Sequence, residues 1–256
     1  MTTLFDITLS IANECLPVQN GTATGGATTT LTDTARVGKT GYFVGGTLFF
    51  LDGPCANTFT RIAAYDGTIF TFATQTAPVA GNHYVACPPN ITLEDMIAGV
   101  NDALRDIGKT LADDATLVTV ANQEDYTLPT GASEVRQVEI AQGLTAPYLY
   151  RRQNFWTEIA GKLRFRGGHI PSSAGYKIRV TYRAPHAYVY LASAVISNYV
   201  SASWLKWAAL INVLRQRGQA GHFGDPEMKI GWEEAQGRYQ QERKPATDMV
   251  IVKLAG

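Results

Sequence analysis

Between Thr92 and Leu111 (TLEDMIAGVNDALRDIGKTL), Leu93, Ile97, Val100, Leu104, Ile107 and Leu111 recur at intervals of four and three. That spacing puts all six on one side of an α-helix and leaves Glu94, Asn101, Asp102, Arg105 and Lys109 facing water. Thr92 can cap the free amides of the first turn, Glu94 and Asp95 suit the positive end of the dipole, and Pro88 and Pro89 stop short of it. A second, shorter helix is predicted at the N-terminus from Leu4, Phe5, Ile7, Leu9, Ile11 and Leu16, ended by Pro17. Residues 191–217 carry apolar side chains around most of a helical circumference, with small residues at Ala192, Ala194, Ala202, Ala208 and Ala209. They predict a helix buried on more than one side and stopped by Gly218. A last, polar helix is predicted from Pro226, capped by Asp225, to about Glu242, with Trp232 and Tyr239 as its anchors. MVIVKLAG then reads as one short strand.

The pattern between these helices changes to period two. Residues 20–85 are dense in Thr and Gly, and TLFFL, RIAAY, TIFTFAT and HYVAC read as strands of β-branched and aromatic residues. Asp52–Gly53, Asp66–Gly67 and Gly81–Asn82 mark turns between them. The expectation is a small all-β unit, barrel or sandwich, inserted between two helices. Further strands are predicted at 117–121, 125–129, 134–141, 148–156, 161–167 and 176–184, the last alternating Ile178, Val180 and Tyr182 with Lys177, Arg179, Thr181 and Arg183. The fold class expected is α+β: a helical bundle packed with a small antiparallel β-structure, plus the inserted all-β unit near the N-terminus. The expected divisions are an N-terminal helix (1–16), the β domain (17–90), a core of helix, strands and long helix (91–217) and a C-terminal arm (218–256).

Charge changes this picture little. The 22 basic and 22 acidic residues cancel, which argues against a broad nucleic-acid-binding face while allowing a local basic patch. Cys15, Cys55 and Cys87 show no paired spacing, so a reduced compartment without a disulfide frame is expected. No apolar run approaches a membrane span and the first residues lack a basic leader, so a soluble, unprocessed chain is expected.

Candidate chemistry is sparse. Gly38-Lys39-Thr40 has the ending of a phosphate-binding loop, but Asp33 stands where that loop needs Gly and a strand pattern follows. His83, His169, His186 and His222 form no metal-ligand spacing, and no Ser or Cys lies in a nucleophile motif. No catalytic residue, cofactor or metal is therefore expected. The one basic concentration comprises Arg151, Arg152, Lys162, Arg164, Arg166, Lys177, Arg179 and Arg183, with Tyr148, Phe155 and Trp156 among them. It reads either as a groove for a nucleic-acid backbone or, more simply, as a solvated sheet face or subunit contact. Trp204 and Trp207 read as core or interface residues.

The order of the 92–111 helix, DYTLP, EVRQVEI, YLYRRQNFW, GKLRF, YKIRVTYRAP and WLKWAALINVLRQR resembles that of the head-to-tail adaptors, or connectors, of tailed bacteriophages. The resemblance covers about residues 90–217. It implies a non-enzymatic virion protein in the neck, assembled as a dodecameric ring beneath the portal. Such a ring extends the DNA channel without reading sequence and docks the tail. It also implies a C-terminal segment reaching a neighbouring subunit or the portal. By position that segment includes Phe223, Trp232, Tyr239, Met249, Val250, Ile251, Val252 and Lys253, while Arg151, Arg152, Arg164, Arg166 and Arg179 form the possible basic face. A tail-fibre or baseplate module binding carbohydrate through Tyr42, Phe43, Tyr65 and Tyr84 is the alternative, and a hydrolase with a dispersed site ranks last.

Overall fold

The structure, a computed structural model, describes residues 1–217 and 235–241. They form two compact units, one of Met1–Asp106 with the chain from Tyr188 onward, the other of Ile107–Ala187.

In the first unit, helix α1 (Leu4–Cys15) opens with a reciprocal cap. The Thr3 hydroxyl accepts from the Asp6 amide and the Asp6 carboxylate accepts from the Thr3 amide. The same device starts α2 (Leu93–Ile107), built from Thr92 and Asp95. Between the two helices lie β1 (Gln19–Thr22), β2 (Gly25–Ala27), β3 (Thr30–Thr32), β4 (Thr47–Phe50), β5 (Thr58–Tyr65), β6 (Ile69–Phe72) and β7 (His83–Cys87). They pair antiparallel in the order β1-β7-β4-β5-β6-β3-β2. Only Ala23 and Thr24 separate β1 from β2, although these are the two ends of that order. One bent strand thus serves both edges, and the sheet closes on itself as a small barrel. The interior is aromatic: Phe70 lies 5.5 Å from Phe43, 4.5 Å from Tyr65 and 5.4 Å from Tyr84 between ring centroids. The buried Tyr84 hydroxyl donates to the Asp33 carboxylate at 2.7 Å, and burial raises its pKa well above the ordinary phenol value. Phe49, on the opposite side of β4, meets Phe5 of α1 edge-on at 5.8 Å.

Helix α3 (Ala202–Arg217) is buried around most of its surface, with Trp204, Leu205, Ala209, Leu210, Val213 and Leu214 all enclosed. Gly99 of α2 sits so close to it that a Cβ there would lie 2.5 Å from Val213 Cγ2 and 2.8 Å from the Ala209 carbonyl oxygen. Lys206 pairs with Glu14 of α1 at 2.7 Å.

The second unit contains β8 (Lys109–Asp114), β9 (Asp125–Thr127), β10 (Ser133–Ala141), β11 (Tyr150–Gln153), β12 (Trp156–Ile159), β13 (Lys162–Phe165) and β14 (Ile178–Pro185). A four-stranded sheet, β11-β10-β14-β8, and a three-stranded sheet, β12-β13-β9, share one core of Val138, Ile178, Val180 and Tyr182 with Tyr126, Leu128, Leu163 and Phe165. Lys109 and Pro185 are partners in the β8–β14 ladder, so the chain enters and leaves this unit side by side.

The expectation of a helical bundle with a small β-structure is therefore overturned: the described residues are mostly β, with 33% strand against 24% helix, and the strands form three antiparallel sheets. Two misread segments account for much of the difference. The helix expected to reach Leu111 stops at Ile107 because Gly108 adopts φ +76°, and Lys109 and Leu111 belong to β8. The helix expected from Leu191 begins only at Ala202, because residues 188–201 run as an irregular strap. Residues 117–121 make a single bridge, Val118 to Lys177, and no strand. Asn101, expected to face water, is 6% exposed. Residues 91–217, read as one core, distribute over both units. Residues 235–241 are helical, while the start of the polar helix and the terminal strand lie outside the described residues.

Candidate functional site

The strap at 188–200 in the first unit is anchored to α1 and α2 by hydrogen bonds from its backbone. The Asn101 side chain donates to the Val189 carbonyl at 2.9 Å and accepts from the Val189 amide at 2.9 Å. The Leu4 and Phe5 amides, free donors in the first turn of α1, reach the carbonyls of Ala194 and Ala192 at 2.9 and 3.0 Å. The Ile196 amide donates to the Thr2 carbonyl at 2.9 Å, and Thr3 bridges Val195. Val189, Ile196 and Val200 point inward. Tyr188, Tyr190, Leu191, Val195 and Tyr199 face solvent, Tyr190 at 66% and Leu191 at 71% exposure. The Tyr188 and Tyr190 rings stack at 6.1 Å and 14°. Beside them opens a groove of about 690 Å³, lined by Thr3, Asp6, Asn57, Phe59, Gln75 and Leu191 among others. A pinned backbone with an apolar outer row is suited to contact with another protein surface.

The arginines of the expected basic face are divided. Arg179 on β14 pairs with Glu139 on β10 at 2.5 Å and lies 4.2 Å over the Tyr150 ring. Arg164 on β13 makes a two-pronged pair with Asp125 at 2.6 and 2.7 Å, which holds the Asp125 carboxyl below the usual range. Arg151 and Arg152 are successive residues of the edge strand β11, so their side chains leave opposite faces of that sheet. Arg166 follows β13, in the other sheet, and its amide donates to the Phe155 carbonyl at 3.0 Å. A crevice of about 280 Å³ joins Arg151 and Arg152 to Gln153, Asn154, Phe155 and His169. The Phe155 and His169 rings are parallel there, 3.8 Å apart and 6° from coplanar. Sequence reasoning singled out Phe155 but noted of His169 only that it forms no metal-ligand spacing. The Gly167-Gly168 turn that folds it back onto Phe155 was the available signal.

The remaining motifs fall elsewhere. Gly38-Lys39-Thr40 lies in a stretch of turns, with the Thr40 hydroxyl donating to the Asp66 carbonyl at 2.8 Å, and no helix follows. His83 Nδ1 lies 2.5 Å from the Asp52 carboxylate on an exposed turn. Among the described residues no cluster of His, Cys, Asp or Glu is placed to hold a metal ion. Phe43, Tyr65 and Tyr84, offered as carbohydrate contacts, are all inside the barrel core, and Tyr42 alone of the four is exposed. Cys55 and Cys87 are both buried, and burial raises the pKa of the Cys55 thiol.

Of the proposed partner segment, Tyr239 is half-buried with its ring 5.9 Å from that of Trp204. Phe223, Trp232, Met249, Val250, Ile251, Val252 and Lys253 lie outside the described residues. No helix among the described residues is long and apolar enough to cross a membrane. The sequence matches no protein-family model and no curated protein.

Proposed function

We propose that this protein is a structural assembly subunit of a tailed-phage virion, a head-to-tail adaptor that forms a ring in the neck between portal and tail. The ring extends the DNA channel and offers the tail a docking surface. The observation that supports this most is the strap: Tyr188, Tyr190, Leu191, Val195 and Tyr199 are presented to solvent on a backbone already fixed at Val189, Ala192, Ala194 and Ile196. Fixing the backbone in advance lowers the ordering cost of association, and aromatic side chains supply contact area with few rotors. A closed ring repeats one such heterologous contact at every junction, so each contact can be modest.

The test is the mass and shape of the purified chain, measured by light scattering and negative-stain imaging, alone and with a portal ring. The wild-type chain is expected to form rings. The Tyr190→Glu, Leu191→Glu double variant is expected to stay monomeric with its unfolding free energy changed by about 0.5 kcal/mol or less, since both side chains are already in water. A wild-type chain that remains solitary under all these conditions removes the proposal.

A further inference from the structure

Seven arginines lie in the second unit, and they fall into two groups. Arg136, Arg164, Arg179 and Arg183 each have a carboxylate within 4.0 Å, supplied by Glu134, Asp125 or Glu139. Arg151, Arg152 and Arg166 have no such partner among the described residues. Glu139 is the residue opposite Arg152 in the β10–β11 ladder, and its carboxylate is committed to Arg179 at 2.5 and 2.6 Å. Two of the unpaired arginines border the crevice, from opposite faces of the edge strand β11. Arg151 and Arg152 line it, and Arg166 is held opposite Phe155 by its backbone hydrogen bond. Phe155 is 55% exposed although its ring already stacks on His169, so an aromatic platform stands in water beside uncompensated positive charge.

From this placement we infer that the crevice is a binding site for single-stranded nucleic acid, with backbone phosphates on Arg151 and Arg152, at the edge of β11, and an unpaired base on Phe155. Guanidinium forks match phosphate oxygens in pairs, and stacking on an aromatic ring is open to any base. Asn154 adds an amide that can donate to a phosphate or a base edge. The neutral charge of the whole chain confines the interaction to this patch and makes it salt-dependent and weak at high ionic strength. The site is complete within one unit of one chain, so it does not depend on the ring proposed above.

The test uses the full chain and fluorescence anisotropy of a labelled single-stranded oligonucleotide over a series of salt concentrations. Wild-type protein should bind it more tightly than a duplex of the same length and more tightly than poly-glutamate. Replacing Arg151 and Arg152 together by Gln should weaken binding about tenfold and reduce the logarithmic salt slope by about 1.4, the value for two lost contacts to a single strand. The control is Arg136→Gln with Arg183→Gln, which removes the same charge from paired positions and should change affinity by less than about twofold. Phe155→Ala should cost about fivefold or more with the single strand and little with the duplex. Circular dichroism of each variant confirms its fold. Absence of wild-type binding, a duplex or poly-glutamate preference, equal losses in the two arginine pairs, or a Phe155→Ala loss equal on both nucleic acids would overturn the inference.

Discussion

Asn101 satisfies two backbone groups of Val189 and the Ile97 carbonyl while 6% exposed, so its side chain is fully engaged inside an otherwise apolar contact. Asn101→Ala leaves both the amide and the carbonyl of Val189 unpaired in a buried place. The expected cost is about 1–3 kcal/mol in chemical denaturation, with faster amide exchange at residues 188–190. Exchange at the strap unchanged from wild type would show that other contacts hold it. Ala160 is a different case. It occupies φ +48° and Gly161 φ +73° in the two-residue link between β12 and β13, a turn that favours Asn-Gly. Ala160→Asn should therefore raise stability, by roughly 0.5–1 kcal/mol. A midpoint at or below wild type would refute it. Asp52 accepts from both the ring and the backbone amide of His83, and these bonds hold its carboxyl below the usual range. The folded value thus lies under the unfolded one, near 3.9, and as pH falls the unfolded chain takes up the proton first. The stabilisation is present above about pH 4 and fades below it. Asp52→Asn should flatten that part of the acid limb, read as the urea midpoint against pH. A limb as steep as wild type would mean the pair is too well solvated to matter.

At the level of elements, the contact between α2 and α3 is set by Gly99. A methyl group there meets Val213 Cγ2 at 2.5 Å and the Ala209 carbonyl oxygen at 2.8 Å, and the second of these is backbone that cannot rotate away. Gly99→Ala is expected to destabilise by about 1–3 kcal/mol even though Ala is the better helix former. Adding Val213→Ala should fail to restore wild-type stability, because it relieves only the movable half of the clash. Complete rescue by that second change would place the strain in the side chain alone. The barrel has an analogous fixed point in Tyr84, whose hydroxyl ties β7 to Asp33 across the interior. Its ring lies 2.3 Å from where a Cβ on Gly21 would stand, so β1 must carry Gly there for the bent strand to close the sheet.

For the molecule as a whole, the sequence was legible where two independent signals agreed. Thr92 offers a cap ahead of a 3.6-residue apolar repeat with Pro88 and Pro89 before it, and α2 begins there. The N-terminal helix was read from its apolar residues alone, and its Thr3 cap was missed. The Thr- and Gly-rich stretch carried turn dipeptides at Asp52–Gly53, Asp66–Gly67 and Gly81–Asn82, and it folds as a β-unit. Reading failed where one signal stood alone. Leu111 kept the helical repeat across Gly108, whose left-handed conformation is invisible in a hydrophobic pattern. The alanines at 192 and 194 suggested helix, yet their carbonyls serve the first turn of α1, nearly two hundred residues away in sequence. The arginines failed similarly: their density marked Arg151, Arg152 and Arg166, but the absence of acidic partners for them among the described residues depends on which carboxylates Arg164 and Arg179 had taken.

The ladder pairing of Lys109 with Pro185 has a practical consequence. Two chain ends that meet as neighbours can be joined by a short hairpin, so residues 110–184 form a cassette that evolution or an engineer can swap without rethreading the barrel and its helices. A lineage of such proteins would be expected to keep the helices and barrel while differing most in what is carried between those two positions.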